Sequence, residues 1–374
     1  MKIKMATILG ARPQFIKAAV ISRVIRRFNS YSSDKKIKEV IIHSGQHYDI
    51  KMSKIFFDEL KIPRPDYYLD INGKSHGAMT GLMLQKIEES LLKIKPDIVL
   101  VYGDTNTTLA GALAAVKMQI PVAHVEAGLR SFNMEMPEEI NRILTDRVSN
   151  FLYCPTETAV NNLARERIGK EAVGNTFKQR VIESGDVMYD SVLYYSKIAK
   201  PSKEIQKIIK GLDGGFYLAT IHRAENTDNN LRLKNIFEAL DEISKDISVI
   251  LPLHPRTEKK LSELKLFSSR IKIIKPVGYF DMLTLIINCK GVITDSGGLQ
   301  KESYFLNKFC IVLRDQTEWV ELIKNRVAVL AGAQKERIIS EGKKLNKMKI
   351  KIKKDLFGDG TAGEKIISSI ISNL

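Results

Sequence analysis

Short apolar runs alternate with helical stretches along this chain, and the alternation is completed twice. The runs fall at residues 3–9, 40–43, 96–103, 121–125 and 151–153, and again at 216–221, 247–251, 271–274, 291–294 and 309–313. Brief and apolar almost throughout, they have the pattern of strands covered on both faces. A strand–helix repeat of this kind folds into a parallel sheet with its helices as crossovers. The expected class is therefore α/β, with two Rossmann-like doubly wound parallel-sheet domains. At 374 residues the chain is long enough for both. The break is expected at residue 187, ahead of the polar segment Lys200-Pro-Ser-Lys203. Residues 1–187 then form the first domain, 188–358 the second, and 359–374 a terminal helix with Thr361 as its N-cap.

In such sheets ligands bind at the carboxyl ends of the strands, in the cleft expected between the two halves. The segment Gly291-Val-Ile-Thr-Asp-Ser-Gly-Gly-Leu-Gln-Lys-Glu-Ser303 runs from a strand through the small-residue turn Ser296-Gly297-Gly298 into a helix. The first helical N–H groups lack internal partners and carry the positive end of the helix dipole. Two glycines let a phosphate approach them closely. Glu302, one turn on, lies where a ribose joined to that phosphate would fall. An ordinary strand–helix turn capped by Ser296 fits the same residues. Gly10-Ala-Arg-Pro-Gln-Phe-Ile-Lys17 is a second anion-friendly helix start, with Pro13 in its first turn and Arg12 and Lys17 beside it. His47, ending Ser44-Gly-Gln-His, reads as a ligand contact or as a loop histidine with a structural hydrogen bond.

Asp104 follows the run at 96–103, Glu126 follows 121–125, and Glu138 lies in the first turn of a helix opened by Pro137. Helix capping would account for Asp104, and the helix dipole for acids in a first turn. Neither accounts for Glu126. Carboxylates gathered at one sheet edge are acid–base candidates, because mutual repulsion and partial burial move their pKa values toward neutrality.

The net charge of +16 raises nucleic acid as a partner. The lysines are mostly dispersed, however, and the one dense cluster, at 343–354, alternates with Met348, Ile350 and Ile352 as a solvated amphipathic segment would. A positive field drawing in a small anionic substrate fits better. No run of apolar residues is long enough to span a membrane, and residues 1–10 read as a first strand, not a targeting segment. Cys154, Cys289 and Cys310 form no CxxC pair, which suits a reducing cytoplasm and argues against metal ligation. Dinucleotide, P-loop and zinc-protease fingerprints are all missing.

Taken together, Gly10-Ala-Arg-Pro…Lys17, Gly45-Gln-His47, Gly103-Asp-Thr105, His124-Val-Glu-Ala-Gly-Leu-Arg130, Pro137-Glu-Glu-Ile-Asn-Arg142, His222-Arg-Ala-Glu-Asn226, Thr294-Asp-Ser-Gly-Gly-Leu-Gln300 and Arg314-Asp-Gln-Thr-Glu318 form an ordered set. Through them the chain resembles the non-hydrolysing UDP-N-acetylglucosamine 2-epimerases over nearly its whole length. The resemblance implies a GT-B architecture, with the last helix crossing back to the first domain. It implies a cytoplasmic homodimer that uses neither metal nor cofactor and acts on a UDP-sugar, with no nucleic acid or membrane as partner. The implied reaction interconverts UDP-N-acetylglucosamine and UDP-N-acetylmannosamine through elimination of UDP, a 2-acetamidoglucal and re-addition, for surface polysaccharide or glycan synthesis.

Asp104, Glu126, Glu138 and His222 are the implied catalytic residues. Arg12, Lys17, His47, Arg142, Tyr279, Met282, Ser296, Gly297, Gly298, Glu302 and Arg314 are the implied contacts to substrate and UDP. Two positions depart from the pattern. Ala224 stands where many members have Arg, and Trp319-Val320 where many bacterial members have Arg-Pro. The former arginine helps hold an activating second substrate molecule in bacterial members, so activation is the property that departure touches. Hydrolysis to UDP and free N-acetylmannosamine is the alternative within the family; Glu126-Ala-Gly-Leu-Arg130, in place of a Gly-Gly-Glu-like turn, favours the non-hydrolysing branch. A GT-B glycosyltransferase is the alternative outside it, and the clustered carboxylates argue against that.

Overall fold

A computed structural model of the chain describes residues 2–46, 50–170, 177–212, 214–253, 255–345, 347–348, 350, 353 and 355–374. It has two compact units, Met1–Ser191 with Lys354–Leu374, and Val192–Lys353. The sequence reading drew the breaks at 187 and 358; in the fold the first one falls inside the helix Val187–Ile198.

The first unit contains β1 (Lys2–Leu9), β2 (Lys36–His43), β3 (Tyr67–Tyr68), β4 (Ile98–Tyr102), β5 (Val122–Val125), β6 (Phe151–Cys154) and β7 (Arg180–Glu183). They pair in the order β3-β2-β1-β4-β5-β6-β7, all parallel. The second unit contains β8 (Phe216–Thr220), β9 (Ser248–Pro252), β10 (Ile271–Ile274), β11 (Gly291–Thr294), β12 (Cys310–Val312) and β13 (Ala328–Leu330). Their order is β10-β9-β8-β11-β12-β13, again all parallel. Both orders are doubly wound, and two Rossmann-like domains in one chain is the GT-B composition. Each sheet therefore has a point where the winding reverses, between β1 and β4 and between β8 and β11. Connections leave that point in opposite directions and open a crevice at the strand ends. The short edge strands β3 and β13 escaped the sequence reading because two or three residues carry no measurable period.

The central strands are buried throughout, as sheets covered on both faces require. In the first unit Ala6, Ile8, Val99 and Val101 pack against Ala110, Ala112 and Ala114 of the helix Asn106–Lys117 and against Ile87 and Leu91 of the helix His76–Ile94. In the second, Ala219, Leu251, Ile293 and Ile311 pack against Ile236, Phe237 and Leu240 of the helix Asn230–Ile243. The terminal helix Ala362–Asn373 lies on the helix Arg12–Tyr31. Thr361 occupies its N-cap position but makes no side-chain cap, because its hydroxyl donates to Asp359 at 2.6 Å. Asp190 caps this helix instead, accepting from the N–H groups of Ala362 at 3.2 Å and Gly363 at 2.8 Å. Among the described residues no helix is long and apolar enough to cross a membrane.

Candidate active site

The turn after β4 carries Asp104. Gly103 adopts φ +63° and donates its N–H to Val125 at 3.0 Å, which turns the chain off the sheet edge. Thr105, not Asp104, caps the following helix, its hydroxyl oxygen accepting from the Thr108 N–H at 3.3 Å. The Asp104 carboxylate is thereby released from the capping role open to it in the sequence. It accepts from Arg142 Nη1 at 2.8 Å, and its side chain is 31% exposed. Arg142 also donates Nη2 to Glu139 at 2.9 Å. Glu139 in turn accepts from the N–H groups of Ser131 at 2.8 Å and Phe132 at 3.0 Å. Burial opposes the charge of Glu139, but these donors and Arg142 outweigh it and lower its pKa. Arg142, implied as a substrate contact, is buried here and bridges Asp104 and Glu139.

Glu126, at the end of β5, sits in the left-handed region at φ +76°. A non-glycine residue there costs about 1–3 kcal/mol and persists only where its surroundings determine it. Its carboxylate pairs with the Lys17 ammonium, and both side chains are nearly buried. Glu138 is half-buried in the first turn of the helix Pro137–Val148. Asp104 responds to all of these groups. Burial pushes its pKa above the usual carboxylate range, Arg142 draws it back, Glu126 and Glu138 push it up, and Lys17 lowers it. The expected acids are therefore gathered at the β1/β4 reversal, with Lys17 and Arg142 among them. A small pocket beside them is lined by Lys17, Glu126, Pro155, Gly185 and Asp186.

The helix start after β1 differs from its expected form. The N–H groups of Gly10 and Ala11 are taken by Gln14 Oε1 at 2.7 and 3.0 Å. Gln14 Nε2 continues to the Tyr102 carbonyl at 2.9 Å and to Thr105 at 3.0 Å. These backbone donors are occupied, so the turn offers an anion the cationic side chains Lys17 and Arg12, the latter lying 4.8 Å over the Phe56 ring. His47 falls outside the described residues. Its neighbour Gln46 accepts from the Thr107 N–H at 3.1 Å and hydroxyl at 2.7 Å.

In the second unit the β8/β11 reversal holds His222 and the Ser296 turn. Asp295, fully buried, accepts from the N–H groups of His222 and Arg223, each at 3.0 Å, and from the Asn226 side chain at 3.2 Å. His222 Nδ1 lies 3.0 Å from Asp295 Oδ1, while its ring is 50% exposed. Burial works against the charge on Asp295, but the His222 ring and the N–H donors outweigh it and lower its pKa. With Nδ1 anchored, Nε2 is the ring nitrogen left for a ligand. Ser296 caps the helix Gly297–Phe305, accepting from the Leu299 N–H at 3.4 Å. A Cβ on Gly297 would crowd Glu318 Oε1, so the Glu318 side chain would have to shift to admit one. Arg314 is buried and donates to Glu318 at 2.8 Å. Glu302 is buried in the helix Gly297–Phe305, and Gly298 lies in its first turn. Tyr279 and Met282 are buried in the helix Tyr279–Asn288, with Tyr279 edge-on to Tyr195 at 5.9 Å.

Sequence reasoning missed Gln14, Asp146 and Asp295. One signal was available: Glu139, Arg142 and Asp146 repeat at helical spacing along the buried face of the helix Pro137–Val148, so that face is charged where an apolar one would be ordinary. Among the described residues no group of His, Cys, Asp or Glu side chains could hold a metal.

A family model described as UDP-N-acetylglucosamine 2-epimerase matches residues 29–371. The chain is 49% identical to the UDP-2,3-diacetamido-2,3-dideoxy-D-glucuronate 2-epimerase of Pseudomonas aeruginosa, covering 97% of this chain and 98% of that one. It is 45% identical to the UDP-N-acetylglucosamine 2-epimerase of Methanocaldococcus jannaschii over 98% of each. A crystal structure of the Methanocaldococcus jannaschii enzyme with UDP-GlcNAc and UDP superposes over the whole of both chains with a TM-score of 0.88 at 44% identity. Agreement from end to end, in sequence and in fold, shows that the chain belongs to the UDP-N-acetylglucosamine 2-epimerase family.

Proposed function

We propose that the protein inverts carbon 2 of a UDP-linked 2-acetamido sugar, interconverting UDP-N-acetylglucosamine and UDP-N-acetylmannosamine without releasing the free sugar. The observation that carries this reading is the gathering of Asp104, Glu126 and Glu138 around Lys17 and Arg142 at one sheet edge. The hydrogen on carbon 2 is not beside a carbonyl, so direct deprotonation is hard. Elimination is easier: a carboxylate takes the carbon 2 proton while the carbon 1–oxygen bond breaks and UDP leaves with the electron pair. The product is a 2-acetamidoglucal. A protonated group on the other face returns a proton to carbon 2, and UDP adds back at carbon 1. This route needs acid–base groups on both faces and donors for the departing diphosphate.

In this reading Asp104, Glu126 and Glu138 supply the proton transfers, with Arg142 orienting Asp104. The helix Gly297–Phe305 receives the diphosphate at Ser296, Gly297 and Gly298, with Glu302 on the ribose and His222 Nε2 on the sugar or phosphate. Arg12 and Lys17 stabilise departing UDP. The active form is a cytoplasmic homodimer serving polysaccharide synthesis.

A second reading concerns only the substrate. The relative at 49% identity is named for a UDP-2,3-diacetamido-2,3-dideoxy-D-glucuronate. Its acetamido group at carbon 2 and its UDP leaving group would meet the same machinery. Incubation of each sugar nucleotide in heavy water tests both readings. Deuterium at carbon 2 of recovered UDP-sugar is expected, with free UDP held at trace level. Stoichiometric UDP and free sugar would instead place the protein in the hydrolysing branch, and absence of exchange from both sugars would refute the reading.

A further inference from the structure

One buried pair ties the two acid-bearing turns together. His124 lies in β5 with no exposed surface. Its Nε2 meets the carbonyl of Gly103, the residue before Asp104, at 2.7 Å, and its Nδ1 meets Asp146 Oδ1 at 2.7 Å. The other oxygen of Asp146 accepts from the N–H of Gly128 at 3.1 Å and from Arg130 Nη1 at 2.7 Å. Arg130 is held in turn by Glu166, at 2.7 Å through Nε and 3.0 Å through Nη2. The contacts thus grip the backbone next to Asp104 and, through Gly128, the loop leaving Glu126. Both ring nitrogens face oxygen acceptors, so neither is open for proton transfer. Burying such a charged set opposes stability unless every member is paired. An apolar core residue at position 124 would hold β5 in the sheet equally well without that burden. What it would not do is fix Gly103 relative to Gly128, and Glu126 sits between those anchors in a backbone conformation that only its surroundings maintain.

We propose that His124 and Asp146 are positioning residues, locking the Asp104 turn and the Glu126 turn into one geometry for proton transfer. The inference rests on the proposed function for its catalytic meaning. Misplacement of a catalytic group by about 1 Å costs up to roughly 10²-fold in rate. His124→Gln, which keeps one amide donor, is therefore expected to lower kcat by about 30- to 100-fold, with KM and UDP affinity within about threefold of wild type. A slackened turn also hydrates Asp104. The charged groups facing it are Arg142, Glu126, Glu138 and Lys17, and these remain, so loss of burial moves its titration downward and carries the acid limb of kcat to lower pH. The experiment measures kcat against pH for wild type and His124→Gln, with thermal unfolding as the folding control. It also follows the Asp104 carboxyl signal by carbon NMR, which requires no turnover. Asp146→Asn takes the same measurements if His124→Gln fails to fold. A kcat within threefold of wild type, or an Asp104 titration identical in variant and wild type, overturns the proposal. Absence of carbon 2 exchange in the wild type would sink the assigned reaction alone, and the carboxyl titration would still decide whether the pair sets the Asp104 turn.

Discussion

Asp190 caps a helix far from it in sequence, and that contact should make the fold sensitive to pH in a calculable way. Its carboxylate is 6% exposed and accepts from the first two N–H groups of the helix Ala362–Asn373. Burial raises its pKa from 3.8 to about 6; the two N–H donors pull it down and Asp186 pushes it up. The folded state thus binds this proton more tightly than the unfolded chain does. Stability is greatest below the unfolded value and falls as pH rises through the window from 3.8 to about 6. A shift of about two units is worth about 3 kcal/mol, and roughly 2 kcal/mol of it develops between about pH 4.5 and about pH 7.5. Asp190→Asn keeps the shape and one acceptor while removing the charge. Its weaker cap is a pH-independent offset of about 1 kcal/mol. Urea unfolding of both proteins at both pH values separates the two effects. The variant should gain about 2 kcal/mol on the wild type in going to the higher pH. A gap between the two proteins that stays constant within about 0.5 kcal/mol would refute the burial argument.

Asp104→Asn, Glu126→Gln and Glu138→Gln should each lower turnover by about 10²-fold or more in the carbon 2 exchange assay, and near-normal turnover removes that residue from proton transfer. Asp295→Asn frees the His222 ring from a charge-assisted partner worth about 1.5–3 kcal/mol, which corresponds to roughly 10- to 150-fold in kcat/KM; an unchanged kcat/KM would show that the dyad does not act in the reaction. Gly128→Ala should lower unfolding free energy by at least about 2 kcal/mol, because its φ is +79° and the new Cβ would lie 2.4 Å from the Ala159 carbonyl oxygen. With Ala224 in place of the family arginine, UDP-N-acetylmannosamine alone should be converted without a lag or added activator, and a strict requirement for UDP-N-acetylglucosamine would contradict this.

Much of the fold was legible because doubly wound sheets write themselves as apolar runs at regular intervals. The strand ends that open the two crevices could be placed to within a residue or two: Asp104, Glu126, His222 and Ser296 all stand just past a strand, as their positions in the sequence suggested. What the sequence could not carry was the partnering of charges across elements. The motifs of Arg142 and Arg314 show none of their acid partners; in space each is buried against acids, Arg142 against Asp104 and Glu139, and Arg314 against Glu318. Asp104 and Thr105 are adjacent and both suited to capping, and only the helix geometry decides that Thr105 takes the N–H. Gln14 has no period or motif of its own, yet it fills the donors that made the first helix start look like an anion site.

His124 and His222 show how the same pairing can serve opposite ends. Each has a buried aspartate on Nδ1, Asp146 for His124 and Asp295 for His222. In each case that aspartate also accepts backbone N–H groups, so it fixes a turn as well as a ring. The difference lies on the far nitrogen. His124 Nε2 is closed by the Gly103 carbonyl, whereas the His222 ring is half-exposed and is held by Asp295 through Nδ1. A histidine whose two nitrogens both have protein partners can only brace; one anchored on a single side can hand a proton or a hydrogen bond to something that arrives. In the sequence His222 stands just past an apolar strand and His124 lies within one, and neither position reveals what its ring nitrogens meet. The neighbouring carbonyl separates them, and it makes the prediction asymmetric: substituting His222 should abolish a contact with the ligand, while substituting His124 should leave UDP affinity near wild type and displace the groups that make the chemistry.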